Sequence, residues 1–214
     1  MKTYKNIIFD LDGTLFDTID DLNNALNYSL SSLGFENRTR DQTINSVGNG
    51  IKKLISLSVE TTDENYEILY NLFSNYYNSH CLDNTRPYKN VVDTLQYLSK
   101  SGFKLFVLSN KDDKQVKKIV AKYFDETVII ESVGYSDIIE RKPSPDGVNY
   151  IVNKFGLLKA ETLFVGDSGV DLQTANNSGV DIVCVSYGFK TKRYLIDNGA
   201  KVVIDDISEL KSLL

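Results

Sequence analysis

Histidine and cysteine are scarce in this chain, whose 214 residues contain one His and two Cys. A single histidine, His80, argues against a zinc site or a histidine general base. Cys81 and Cys184 are too few for a disulfide framework. Cys184, inside Ile182-Val183-Cys184-Val185, reads as a small apolar core residue rather than a reactive thiol. No run of 18 apolar residues occurs, and Lys5 leads into a short strand rather than a signal-peptide core. The expectation is a cytoplasmic protein with no membrane partner. A basic surplus is also missing: the formal net charge of −5 argues against nucleic acid as a partner. An anionic ligand would have to be held by a metal and a few local lysines.

What is present is an ordinary globular composition, 42% hydrophobic and 25% charged. Short apolar runs predict strands at Lys5 to Phe9, Lys104 to Leu108, Thr127 to Ile130, Thr162 to Val165, Asp181 to Val185 and Val202 to Ile204. Helical spacing between them covers 88–101, 112–123, 145–155 and 169–178. This alternation predicts an α/β fold, a parallel Rossmann-like sheet doubly wound by helices, with ligands beyond the carboxyl ends of the strands. The rhythm fails after the first strand. Leu22, Ala25, Leu26, Leu30 and Leu33 share one helical face, and Tyr66, Leu69, Tyr70, Phe73, Tyr76 and Tyr77 share another. Both read as core faces, so Ile19 to Asp83 is expected to be an inserted all-helical unit, with 1–18 and 84–214 forming the sheet domain. Asp17 reads as a cap or hinge residue, and Arg38 and Arg40 as surface charges.

Chemistry concentrates at the predicted strand ends. Ile7-Ile8-Phe9 runs directly into Asp10-Leu11-Asp12-Gly13-Thr14, two carboxylates and a hydroxyl around a turn. Alternation along an extended chain would point Asp10 and Asp12 to one side. Two anions held together call for a cation between them. Strand 104–108 ends in Ser109-Asn110-Lys111, a hydroxyl, an amide and an ammonium ahead of a helix, where a phosphate would fit. Strand 162–165 ends in Gly166-Asp167-Ser168-Gly169-Val170-Asp171, whose acids suit Mg²⁺ together with substrate phosphate oxygens. Between these lies Arg141-Lys142-Pro143-Ser144-Pro145-Asp146, where two prolines stiffen the loop that carries Lys142.

In this order the motifs resemble the haloacid dehalogenase superfamily, in its phosphatase branch with a helical cap inserted after the first strand. The resemblance spans essentially the whole chain. It implies a Mg²⁺-dependent phosphomonoester hydrolase in which Asp10 becomes transiently phosphorylated, while Asp12 protonates the departing oxygen and then activates water. Thr14, Ser109, Asn110 and Lys142 are the expected phosphate holders, Asp10, Asp12 and Asp167 the expected metal ligands, and Asp171 and Ser168 supporting residues. The turn Val47-Gly48-Asn49-Gly50-Ile51-Lys52-Lys53 resembles a stretch in the caps of phosphoglycolate phosphatases, and Ser109-Asn110-Lys111 resembles their Thr-Asn-Lys triplet with serine for threonine. That likeness implies substrate selection by Asn49, Gly50, Lys52 and Lys111, with 2-phosphoglycolate the leading candidate among small phosphorylated metabolites. A phosphotransferase of the β-phosphoglucomutase type is the alternative, although the cap lacks the His-Leu-x-Gly stretch of those mutases. Pyrophosphate or a nucleoside monophosphate would present the same terminal phosphoryl group. Dehalogenation is disfavoured by the second acid, Asp12, and phosphonate cleavage would need a cap lysine such as Lys52 or Lys53. Either a monomer or a homodimer is compatible with the sequence.

Overall fold

Four residues just ahead of Asp10, Asn6–Phe9, are buried throughout and form an inner strand of a six-stranded parallel sheet. The computed structural model describes residues 4–214. In chain order the elements are β1 (Asn6–Phe9), β2 (Phe16–Asp17), α1 (Ile19–Ser32), α2 (Arg40–Ser46), α3 (Ile51–Ser58), α4 (Asp63–His80), β3 (Arg86–Pro87), α5 (Val91–Lys100), β4 (Lys104–Asp112), α6 (Asp113–Tyr123), β5 (Glu131–Tyr135), α7 (Asp146–Phe155), β6 (Thr162–Gly166), α8 (Gly169–Ser178), β7 (Asp181–Val185), α9 (Lys192–Asp197), β8 (Val203–Ile204) and α10 (Leu210–Leu213). They fall into two units, residues up to Phe16 with Pro87–Leu214, and Asp17–Arg86.

In the first unit the strand order is β5-β4-β1-β6-β7-β8. Both faces of the central strands are covered, which is why they read as unbroken apolar runs rather than alternating ones. Ile8, Phe106, Leu108 and Phe164 pack with Val148, Ile151 and Val152 of α7 and Ala175 of α8. Strand alternation turns Ile7, Phe9, Leu105, Val107, Leu163 and Val165 to the opposite face, where they are equally buried. The register aligns Phe9 with Val107 on one side and with Val165 on the other. Three strands therefore deliver their carboxyl ends to one edge, where the order switches around β1.

One expected strand is displaced. Residues 127–130 form no strand: the chain turns at 126–128, and the ladder begins at Glu131. Asp125 is the cause: its side chain accepts bonds from the Thr127 amide and hydroxyl, and its carbonyl accepts the amides of Val128 and Ile129. Ile129 is buried as an anchor, whereas Glu131–Tyr135 holds an outer place in the sheet with Val133 its only buried aliphatic residue.

The second unit is helical, α1 to α4, around Leu22, Ala25, Leu26, Leu30, Leu54, Ile55, Leu69, Phe73, Tyr77 and Cys81. Tyr66, Tyr70 and Tyr76 pack against this cluster, so the tyrosine stripe is a core face. Arg38 donates to the Ser58 carbonyl, and Arg40 pairs with Asp17 and Asp20. Buried Asp21 on α1 ties the end of the unit to its beginning. Its carboxylate accepts the Asn84 amide at 2.9 Å, the Asn84 side chain at 2.9 Å, and the Thr85 amide and hydroxyl at 2.8 and 2.9 Å. Asp21→Ala would strand these donors and is expected to lower stability by about 2–4 kcal/mol, with Asp21→Asn losing less. Urea unfolding followed by circular dichroism measures the difference.

Candidate active site

The site is assembled from the ends of β1, β4 and β6, and the Asp10 amide donates to the Val165 carbonyl at 2.8 Å across the join. Past Phe9 the chain stops being extended. It turns through Gly13 at φ 87°, a left-handed conformation that suits glycine. A Cβ at Gly13 or Gly188 would overlap Asp167 Oδ2, so both glycines let backbone close around that carboxylate. The Phe189 amide donates to the same oxygen at 2.6 Å.

Asp171 has two tasks. Ser168 and Asp171 form a capping box at the start of α8, in which Asp171 Oδ2 accepts the Ser168 amide at 3.1 Å and its hydroxyl at 2.6 Å. The other oxygen, Oδ1, accepts Lys142 Nζ at 2.6 Å. The same ammonium lies 2.6 Å from Asp10 Oδ1, with both side chains almost fully buried. Lys142 thus bridges β1 and α8. The Thr14 hydroxyl lies 3.4 Å from Asp10 Oδ2.

Strand β4 reaches the site through an irregularity. Leu108 pairs with Val133 and Asp112 with Tyr135, so two extra residues bulge from β4 across Ser109–Lys111. Here Ser109 Oγ lies 3.5 Å from Asp12 Oδ2, and Lys111 Nζ lies 3.1 Å from Asp12 Oδ1. The Asn110 amide group instead spans the backbone of Lys142, accepting its N–H at 2.6 Å and donating to its carbonyl at 3.0 Å. Gly134 makes room for the bulge, since a Cβ there would sit 2.6 Å from the Lys111 carbonyl and 2.6 Å from the Asp113 amide.

Asp10, Asp167 and Asp171 place carboxylate oxygens within 4.8 Å of one another, all buried. Asp12 stands outside this trio, paired with Lys111. Burial, together with the neighbouring Asp171 and Asp12 charges, pushes Asp10 up to about 7 against the opposing pull of Lys142. Asp167 is also raised well above the usual carboxylate range, by burial and then by Asp10 and Asp171. Burial alone would lower Lys142, but the Asp10 and Asp171 carboxylates outweigh it and hold the ammonium charged. When ionised, four carboxylates face two ammonium groups, an excess that matches one divalent cation. Oxygen donors alone suit a hard ion such as Mg²⁺, so the residues present fit that group. Burial pushes the Cys184 thiol up to about 12, leaving it a packing residue.

Asn49, Gly50 and Lys52 belong to the helical unit. Gly50 caps α3 at φ 82°, and Lys52 Nζ lies 5.5 Å from the centre of the Tyr70 ring. His80 ends α4 and bonds Asp83 at 2.7 Å. The sequence reading missed Phe189 and Asn177, whose amide donates to the Pro143 carbonyl at 2.9 Å. A backbone donor has no residue signature, although Gly188, shortly after a strand end, was a usable sign of close approach.

Comparison with known proteins agrees with this arrangement. A family model described as haloacid dehalogenase-like hydrolase matches residues 7–185. The chain is 30% identical over 220 residues to a phosphoglycolate phosphatase of Mannheimia succiniciproducens, covering 99% of this chain and 98% of that one. It is 29% identical over 223 residues to one of Pasteurella multocida, with both chains fully covered. A structure described as a predicted phosphoglycolate phosphatase from Haemophilus somnus superimposes with a TM-score of 0.92 at 29% identity, covering 98% of this chain and 97% of that one. The chain belongs to the haloacid dehalogenase-like hydrolase family and is an enzyme of that family, one whose full-length relatives are named as phosphatases.

Proposed function

We propose that this protein is a Mg²⁺-dependent phosphomonoester hydrolase acting on a small phosphorylated acid, with 2-phosphoglycolate as the leading substrate. The observation that carries this reading is the Asp10 carboxylate at the end of β1, with a buried lysine on one oxygen and a threonine hydroxyl near the other. Family membership and the full-length phosphoglycolate phosphatase relatives support the substrate class.

A carboxylate attacks a phosphate dianion poorly until the charge at the phosphoryl oxygens is offset. In this reading Asp10 attacks phosphorus and becomes the aspartyl phosphate. Lys142 and the Ser109 and Thr14 hydroxyls hold the phosphoryl oxygens. Asp12 gives a proton to the departing oxygen and takes one from the water that frees Asp10. Asp10 and Asp167 would hold Mg²⁺, with Asp12 beside them and Asp171 directed to Lys142; the bound ion would supply positive charge at the phosphoryl group. The Lys111 ammonium stands beside the acid that serves the leaving group, where it would meet a carboxylate carried by that group. The assignment of Asn49, Gly50 and Lys52 to substrate selection rests on the glycine-punctuated turn and its likeness to related caps. No helix among the described residues is long and apolar enough to cross a membrane.

Asp10→Asn is expected to reduce hydrolysis of p-nitrophenyl phosphate by about 10³-fold or more while leaving the circular dichroism spectrum unchanged. Undiminished turnover would remove the covalent role. Asp167→Asn should raise the Mg²⁺ concentration for half-maximal activity by about tenfold or more, read from a metal titration. Substrate class is tested by kcat/KM across phosphoglycolate, pyrophosphate, nucleoside monophosphates and hexose phosphates, with phosphoglycolate expected to lead. In Lys111→Met the preference for phosphoglycolate over p-nitrophenyl phosphate should shrink by about tenfold or more.

A further inference from the structure

Lys142 is the only cation bonded to Asp10 among the described residues, yet it sits on a loop between β5 and α7 rather than on a regular element. Something must hold that loop to a fraction of an ångström if the ammonium is to meet both Asp10 and a phosphoryl group. Three neighbours do so. Asn110, at the β4 bulge, closes a two-point amide contact on the Lys142 N–H and carbonyl, and all of these groups are buried. Asn177 on α8 donates to the next carbonyl, that of Pro143. The central carbon of the Arg141 guanidinium lies over the Tyr135 ring, 3.3 Å from its centre.

We infer that Asn110 is a positioning residue that acts through Lys142, and that its place next to Ser109 couples the two groups assigned to the phosphoryl oxygens. This inference rests on the phosphatase reading for the role of Lys142. It departs from the sequence expectation that Asn110 is a phosphate ligand. The amide is the side chain suited to the task, because it offers an acceptor and a donor side by side, the pair that one residue's N–H and C=O require. Asn177 serves the same loop from its other side, at a solvent-exposed position.

The test is a double-mutant cycle on Asn110→Ala and Lys142→Met, read as kcat/KM for p-nitrophenyl phosphate with saturating Mg²⁺ and as inhibition by orthovanadate. Asn110→Ala alone is expected to lose about 10- to 100-fold in kcat/KM, with vanadate inhibition weakened in parallel. In the Lys142→Met background the same change should cost less than about threefold. Additive losses would overturn the inference and return Asn110 to direct phosphate contact. A Lys142→Met enzyme as active as the wild type would overturn both this inference and the role of Lys142 on which it rests, and is a different result from additivity. If Lys142→Met does not fold, Asn177→Ala takes its place in the cycle. A loss of about three- to tenfold that is not additive with Asn110→Ala supports the inference, and wild-type kcat/KM in Asn177→Ala overturns it.

Discussion

A single ammonium group, Lys142 Nζ, is shared at 2.6 Å by Asp10 and Asp171 in a setting almost closed to water. Removing three charges from solvent is costly, and their attraction compensates only when the geometry is good and the remaining lone pairs find donors. Much of the surrounding structure meets that condition. The second oxygen of Asp171 is filled by the Ser168 cap, that of Asp10 lies near Thr14, and the backbone on both sides of the lysine side chain is bonded to Asn110. The excess of acid over base left by this arrangement makes the site receptive to a divalent cation. Fold and chemistry meet here because the first turn of α8 carries Asp171, the residue that anchors the lysine.

The sheet order follows from the same edge. With β1 between β4 and β6, and Phe9 level with both Val107 and Val165, the carboxyl ends open at one crevice. Gly13 and Gly188 let two stretches of backbone close on Asp167. A phosphoryl group is small and highly charged, and a crevice lined by short hydroxyl side chains and a buried ammonium suits it.

Much of this was legible beforehand. β7 and α8 lie where periodicity puts them, because a buried parallel strand and a capped helix each carry a local signature in Asp181–Val185 and Ser168–Ser178. The ends of β1 and β6 could be read because a carboxylate placed directly after an apolar run marks where a buried strand gives way to a polar edge. Residues 127–130 misled, since an apolar run that anchors a turn looks like one that pairs in a ladder. The β4 bulge was hidden as well: its cause is the pairing with β5 and the space at Gly134, neither of which is local to Ser109–Lys111. Asn110 illustrates the limit most clearly. Its neighbours in sequence suggest a ligand for anions, while its bonds go to a backbone 32 positions away, a relation that only the folded chain reveals.

Asp21 carries a consequence for how such a protein can change over time. By gathering Asn84 and Thr85 onto the first helix after the insertion point, it makes the helical unit close on itself with its own bonds. The two ends of the insertion are thereby kept side by side from within, in addition to the short β2–β3 pairing at those ends. A segment built this way is a self-sealed cassette. Its interior can be rewritten, lengthened or exchanged for another while Asp17 and Arg86 remain neighbouring ends, and the strand ends that carry Asp10 and Asp167 keep their own sequence.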